Sequence, residues 1–418
     1  MAGVNFIYNF SLPTCDLSMQ RNLLPILMSL VLLSPLAIDI YLPSMPAMAL
    51  DFSVDERQVQ STLVLFLFAM GVGQVLIGPL ADRYGRRPVA LFGTVLYVIS
   101  SLLAMAALEF ELLQLARLLQ GLAACSTSIV AFSAVRDSYS SADSARIYSY
   151  LNGAICVIPA LAPTLGGLLA IQFGWRSTFA FMAFYGLVML LVVGYRLPET
   201  RPAHTESAGP LYRWGRYAPV LKNSHFMFYA VTCMAAMAAI LCYVSYSSIW
   251  LIGKLGVSEL AFSGLFGLNA VVNVVACFAA PVVIRKLGNR PTVLVALGLM
   301  ILASVLELVL QLPAWASPMA ASFAFMLPMM LLCVGFAFLL GPATSMALAP
   351  FGERAGTATA LLGFIQMSGA SVITALVQLT PMTAPYAIGY TMGGLALVLL
   401  AIMLMPRFGH WHQEPSTH

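Results

Sequence analysis

The sequence predicts an all-α membrane protein of twelve transmembrane helices, arranged as two pseudo-symmetric six-helix bundles. Three observations predict it: apolar runs long enough to cross a bilayer, a one-sided distribution of Lys and Arg, and a repeat offset by about half the chain. Of the 418 residues, 61% are hydrophobic and 9% charged, and the mean hydropathy is +0.91. A soluble domain carries about 25% charged residues. Too little polar surface remains here to coat a water-soluble globule. The lipid bilayer is therefore the first expected partner.

A helix that crosses the hydrocarbon core needs about 20 apolar residues. Such runs occupy residues 23–45, 58–80, 88–108, 112–134, 146–171, 176–196, 226–250, 260–284, 291–311, 318–341, 355–379 and 384–405. The tenth and eleventh are interrupted by Pro and Gly, so their inclusion leans on symmetry. Gln60–Pro88 lies over Ser263–Pro291 without a gap, at an offset of 203 residues. Tyr-Gly-Arg-Arg-Pro (84–88) then meets Leu-Gly-Asn-Arg-Pro (287–291). The longest polar stretch, residues 197–222, holds Pro198, Pro202, Pro210 and Pro219 and falls between the two halves. The expected organisation is an N-terminal segment (1–22), a first bundle (23–196), a linker (197–222), a second bundle (223–405) and a tail (406–418). Within the linker, Leu211–Val220 is amphipathic; it lies on the membrane surface or is a solvated loop. Parallel repeats of this kind place a substrate path between the halves.

Charge sets the expected orientation. Loops near Arg83, Arg86, Arg87, Arg136, Arg196, Arg213, Arg285 and Arg354 carry nearly all the Lys and Arg, with Arg21 and Arg407 on the same side. The opposite loops hold Arg57, Arg176 and Lys254, and the first of them also Asp51, Asp55 and Glu56. Basic loops stay in the cytoplasm, so both termini are expected there. Residues 1–18 lack the features of a cleavable signal. Met19 is an alternative start that would make them a mis-assigned extension.

The net charge of +4 is spread in short clusters, which does not suggest nucleic-acid binding. The seven cysteines (15, 125, 156, 233, 242, 277 and 333) form no C-x-x-C pair and suit small apolar positions. His204, His225, His410, His412 and His418 fall in the linker or tail region. No metal cluster, nucleotide loop or triad is legible, so neither a metal, a cofactor nor an enzymatic activity is expected.

Several residues stand out against the apolar background. Asp39 lies inside the first span, in Leu36-Ala-Ile-Asp-Ile-Tyr-Leu-Pro43. An intramembrane carboxylate is costly and marks a functional site by default. It serves proton coupling or cation recognition, or braces helices near the interface. Arg117 is the basic residue placed well within a span. At 1.5 Å per residue, Asp39 (about 17 residues into an outgoing helix) and Arg117 (about five into an incoming one) share the outer half of the bilayer. An Asp39–Arg117 interaction is depth-compatible; the alternative is a snorkelling arginine. Glu307, near the end of the ninth span, either braces the interface or takes part in transport. In the fifth span, Pro159 and Pro163 remove backbone donors, while Gly153, Gly166 and Gly167 permit close helix contact. Gly78-Pro-Leu-Ala-Asp-Arg-Tyr-Gly-Arg-Arg-Pro88 reads as a basic loop whose glycines allow a tight turn. Tyr41, Gln74, Asn152, Tyr243, Tyr246, Asn269, Asn273 and Gln366 are candidates to line a cavity.

The loop motif resembles the signature of the major facilitator superfamily, and the resemblance covers residues 22–405. In that family the loop latches the halves together at the cytoplasmic face. The resemblance makes Gly78, Asp82, Arg83, Gly85, Arg86 and Arg87 a conformational switch motif, with Asp82 as the switch residue. The second copy, around Gly288, lacks the acidic residue. Arg117-Leu-Leu-Gln-Gly121 is similar to the fourth-helix motif of facilitator antiporters, whose arginine serves proton coupling. Asn152–Gly167 resembles their fifth-helix antiporter motif, departing from it at Ala162. With Asp39-Ile-Tyr-Leu-Pro43 and Val135-Arg-Asp137, the pattern resembles drug:proton antiporters of the Bcr/CflA type. What this implies is a monomeric, proton-coupled multidrug efflux antiporter of the bacterial inner membrane. Its partners would be protons and small amphipathic, chloramphenicol-like drugs. The alternative is a proton-coupled uptake permease or metabolite exporter on the same scaffold.

Overall fold

The computed structural model describes residues 17–202, 211–212, 214–311 and 317–411. Cys15, His204, Pro210, Arg213, His412 and His418 lie outside the described residues, as does residue stretch 1–16. The described residues contain helices and no strand. Twelve helices are long and apolar enough to cross a membrane: Leu23–Phe52, Glu56–Tyr84, Arg86–Met105, Phe110–Ser138, Arg146–Phe173, Arg176–Arg196, Ser224–Lys254, Glu259–Leu287, Asn289–Leu310, Pro318–Leu348, Ala355–Gln378 and Ala384–Leu404. Helices answer the bilayer's main demand, because each satisfies its own backbone polar groups away from water.

The twelve match the expected runs in number and order, but several extend a turn or two beyond them. Most of the added length is at the C-terminal ends, where the helices run on past the apolar stretch, and polar side chains fix several of the starts. The side chain of Asp55 accepts from Arg57 N at 3.0 Å, and Gln58 Oε1 accepts from Asp55 N at 3.0 Å. Ser258 and Ser317 cap the eighth and tenth spans in the same way. Two expectations change as a result. Asp51 is not in a loop: it lies in the helical turn Met45–Phe52, where it accepts from Arg176 Nη1 at 2.6 Å and Trp175 Nε1 at 3.0 Å. Gly78–Tyr84 is not a loop either, since the second helix runs unbroken to Tyr84. The turn there is the single residue Gly85, at φ +107°. Gly288 makes the equivalent break at φ +87° between helices offset by the same 203 residues.

Most contacts fall within the first six spans or within the last six. The fifth packs on the eighth, the second on the eleventh, and the end of the first on the seventh and eighth. One face of the molecule bears Arg83, Arg86, Arg87, Arg136, Arg285 and Arg354; it is called the basic face here. On the opposite face, Gln60 Nε2 donates to Ser245 O at 3.2 Å and Gln378 Nε2 to Ser245 Oγ at 3.0 Å. That junction joins the second, seventh and eleventh spans out of contact with water. The expected amphipathic stretch is the helix Trp214–Leu221, which buries Val220 and packs on the seventh and eleventh spans rather than forming a solvated loop.

Candidate functional site

The first span is broken where its chemistry lies. Helical turns Leu33–Asp39 and Leu42–Ser44 meet at Ile40–Tyr41, close to Pro35, Pro43 and Pro46. Prolines lack the N–H that would carry a ladder through, so the break follows from composition. Asp39 ends the first of these turns and is 3% exposed. Among the described residues its carboxylate has no ion pair or hydrogen bond. The adjoining turn Leu42–Ser44 packs on the seventh and eighth spans, so the carboxylate lies near the interface between the two sets of helices.

Arg117 is fully buried, which excludes a snorkelling role. Its guanidinium lies between two aromatic faces, with Cζ 4.5 Å from the Tyr41 ring centroid and 4.6 Å from that of Phe66. Nη1 donates to Gln120 Oε1, while among the described residues Nε and Nη2 complete no hydrogen bond of good geometry and face the Tyr41 and Phe66 side chains. Gln120 Nε2 continues the chain to Ser101 Oγ at 2.8 Å. Tyr41 is held by Thr62, oxygen to oxygen at 3.2 Å. Asp39 and Arg117 are each buried but form no salt bridge among the described residues, and Tyr41 stands with the arginine rather than lining an open cavity. Gly121 makes the packing possible, because a Cβ there would strike the Phe66 carbonyl.

Glu307 is also fully buried, three residues before the described end of its helix at Leu310. Gln311 Nε2 reaches its Oε1 at 3.5 Å and its Oε2 is unpartnered. Ser304 and Leu308 on the same helix face the twelfth span at Gly389. The structure therefore does not bring Glu307 together with Asp39 and Arg117.

In the fifth span, Gly166 packs so tightly on the first that a Cβ would collide with Ile40 O, next to Asp39. Gly167 faces Ser263 of the eighth span, whose hydroxyl donates to Pro163 O at 3.0 Å. The helix runs through Pro159 and Pro163 without a break. Gly153 differs from expectation: nothing lies within 4 Å of where its Cβ would be, so it makes no close helix contact.

The cavity candidates divide. Asn269 is 1% exposed; among the described residues its carboxamide completes no hydrogen bond of good geometry, but it lies beside the Tyr243 hydroxyl and the Cys333 thiol. Among the described residues Asn273 Oδ1 is unpartnered, and the Tyr243 hydroxyl has the Asn269 carboxamide beside it. Tyr243 stacks on Phe266 at 5.6 Å and 13°. Tyr246 is buried nearby on the same helix. Gln366 sits in a widened π turn, Ile365–Gly369, whose Ser368 donates to Phe68 O of the second span at 3.2 Å. Gln74 packs on Gly363, 3.0 Å from its would-be Cβ, and Asn152 is exposed toward the basic end of the fifth span.

At the basic face Arg86 is the hub. Its Nη1 meets Asp82 Oδ1 at 2.7 Å and its Nε meets Asp137 Oδ2 at 2.8 Å. The arginine side chain is 2% exposed and Asp82 54% exposed. Arg87 Nη2 donates to Gly194 O at 2.7 Å, and Arg83 lies over the Tyr84 ring at 5.9 Å. Gly78 is helical, and a Cβ there would meet nothing within 4 Å. Gln120, quoted above only as part of Arg117-Leu-Leu-Gln-Gly121, proves to be the arginine's hydrogen-bond partner. The Gln60–Ser245–Gln378 junction and Glu199 with Arg201 are not singled out by the sequence. They carry no local signal, because their partners on other helices are 112 to 185 residues away.

Comparison with known proteins agrees with this geometry. The family model described as Major Facilitator Superfamily matches residues 27–374. A protein of Klebsiella pneumoniae (strain 342) named multidrug resistance protein MdtL is 32% identical over 393 residues, covering 93% of this chain and 97% of that one. The MdtL of Citrobacter koseri is 31% identical, with coverage of 93% and 98%. Among solved structures, a peptide transporter POT in complex with sulfate superposes with TM-score 0.76 at 16% identity, covering 94% of this chain and 96% of that one. A D-xylose-proton symporter gives 0.71, also at 16%, covering 92% and 97%. At such identity these two speak for the fold alone. With twelve spans, a single-residue glycine turn repeated at half-chain offset, and a family match over most of its length, the chain belongs to the Major Facilitator Superfamily, a family of multi-pass membrane transporters rather than enzymes.

Proposed function

We propose that the chain is a proton-coupled multidrug efflux antiporter that exports small amphipathic, chloramphenicol-like compounds by alternating access. The observation that carries the reading is Asp39: a buried carboxylate with no partner among the described residues, at the break of the first span, next to a turn that packs on the other set of helices. An intramembrane acid so placed is suited to take up and release a proton as its surroundings change. Relatives covering nearly the whole chain are named multidrug resistance proteins, which supports a drug as cargo. The neighbouring polar groups of Tyr243 and Asn269, with Asn273 Oδ1, offer hydrogen bonds to that cargo within apolar, aromatic walls.

In this reading the bundles 23–196 and 223–405, joined by 197–222, rock against each other as one working monomer. The basic face, with both termini, is cytoplasmic by the positive-inside rule. The hydrogen-bonded junction at Ser245 closes the outer end, while Asp82 and Gly78 remain open on the inner. Proton entry at Asp39, with Arg117 fixing the local field, releases drug outside; proton loss inside resets the carrier.

Proteoliposomes loaded with chloramphenicol test this under an imposed pH gradient. Drug and proton should move in opposite directions, a protonophore should abolish uphill drug movement, and Asp39→Asn should fold yet lose the gradient's effect. Co-directional fluxes would point to a symporter. Uphill drug movement that persists after the gradient collapses would sink the proposal.

A further inference from the structure

The sixth span ends at Arg196, and Leu197 leaves the helix in an extended conformation. The residues that follow turn back onto the basic face. Glu199 accepts the backbone N–H of Arg86 at 2.8 Å and that of Arg87 at 3.2 Å. The N–H of Arg201 closes on the same carboxylate at 2.9 Å. The Arg201 guanidinium donates in turn to the carbonyls of Asp82, at 3.3 Å, and of Arg83.

These partners have a common character. Arg86 and Arg87 begin the third span, and Asp82 and Arg83 end the second. Helix geometry leaves the first N–H groups and last C=O groups of any helix unpaired. An anion at the one end and a cation at the other also suit the helix dipoles. Gly85, the N-cap position of the third span, has no side chain to do this work. A Cβ there would strike Glu199 Oε2. The turn is thus shaped around a carboxylate from 113 residues away. Burial alone would push that carboxyl group up, but the N–H groups of Arg201, Arg86, Arg87 and Thr200 outweigh it and hold it below the usual carboxylate range.

We propose that Glu199 is a positioning residue of the switch: by capping the third span it keeps Arg86 aimed between Asp82 and Asp137, and Arg201 fastens the start of the linker to the same point. The linker touches the second span again where Tyr212 Oη donates to Leu76 O at 2.9 Å. Only then does the helix Trp214–Leu221 reach the seventh and eleventh spans. Movement of the last six helices is therefore delivered to the end of the second span, where Asp82 sits, instead of being lost in a slack connection. The inference rests on reading Asp82 and Arg86 as the conformational switch.

Hydrogen–deuterium exchange on the full chain in lipid nanodiscs tests it without any substrate. Glu199→Ala should speed exchange at residues 86–90 by about tenfold, as expected for losing hydrogen bonds to a charged acceptor. It should also shift exchange at 146–155 and 355–364, the basic-face ends of the fifth and eleventh spans. Asp82→Asn should give the same remote shift, and the double variant no more than either alone. Glu199→Gln keeps one acceptor oxygen and should fall between, and it serves as the folded reference should the alanine variant misfold. Unchanged exchange at 86–90, a change confined to that segment, or remote shifts that add in the double variant would each overturn the proposal. Failure of the drug-export reading would appear separately, as absent drug flux in the wild type.

Discussion

Replacing Arg117 by methionine separates a coupling role from a structural one, because the energetic terms around this arginine nearly cancel. Two aromatic faces at 4.5 and 4.6 Å hold the guanidinium. Cation–π contacts away from water contribute about 2 kcal/mol each. The hydrogen bond to Gln120 adds about 1.5–3 kcal/mol. Against this stand several kcal/mol for desolvating the charge, and roughly 1–3 kcal/mol for each nitrogen without a well-formed hydrogen bond, here Nε and Nη2. Arg117→Met keeps most of the volume, removes the buried charge and leaves only Gln120 Oε1 wanting a donor. Its stability to detergent unfolding should therefore lie within about 2 kcal/mol of wild type. Proton-driven flux in proteoliposomes should nonetheless fall by about tenfold or more, since one lost charge-assisted hydrogen bond is already worth that factor. Arg117→Lys keeps the charge but not the planar stacking and should fail as well. A methionine variant that couples normally would remove Arg117 from the mechanism. One that loses more than about 4 kcal/mol would show the guanidinium to be a structural strut, as when breaking a buried pair strands its partner.

Gly166→Ala should destabilise by about 1–3 kcal/mol, because its Cβ meets the Ile40 carbonyl and backbone cannot yield cheaply. Gly78→Ala, in a helix with open space beside it, should instead gain about 0.5–1 kcal/mol; unfolding in mixed micelles reads both, and equal effects would discredit the packing argument. Ser245→Ala strands the Gln378 amide and should cost about 1–3 kcal/mol, with faster hydrogen exchange at residues 56–62; unchanged exchange there would mean the junction does not hold the face closed. The Glu199 cap should be pH-dependent in one direction. Its carboxyl group is held below the usual range, so protection of the Arg86 and Arg87 amides persists above that range and disappears as pH falls through the lowered value. Loss of protection between pH 7 and 6, after correction for intrinsic exchange, would contradict this.

The features legible in the sequence were those written locally. Spans showed as apolar runs, since lipid leaves little choice of residue. Asp39 and Arg117 showed because a charge within such a run has few excuses. The helix ends were not legible to the same degree. Hydropathy falls off at Pro79 and Asp82, yet the second helix continues to Tyr84 because Gly85, not the first polar residue, is the turn. Gly78 and Gly153 were read with the other glycines, but only position in the fold distinguishes a glycine under a carbonyl, such as Gly166, from one beside open space. Glu199 was missed for a related reason. It follows a span as any interfacial acid does, and its partners belong to a different helix pair.

Ionised chemistry in this molecule is unevenly divided. Asp39, Arg117 and the Asp82–Arg86–Asp137 hub all belong to the first six spans. The last six answer with neutral groups: Tyr243, Asn269, Asn273 and Gln366. Their one fully buried acid, Glu307, is on a helix whose neighbouring residues face the twelfth span. The repeated turn at Gly288 has no acid either, and Thr292 Oγ1 simply donates to its carbonyl at 2.6 Å. A neutral lining binds cargo with the same strength whether or not a proton has arrived. Under the proposed function, coupling must therefore act where the two sets meet, at the broken first span that carries Asp39, so that a bound proton changes what the neutral half faces rather than the neutral half itself. Amide substitutions in the last six spans, such as Asn269→Leu, should then alter which compounds are carried while leaving the protonophore sensitivity of those still carried intact. A loss of proton coupling in that variant would show that the division between the halves is not functional.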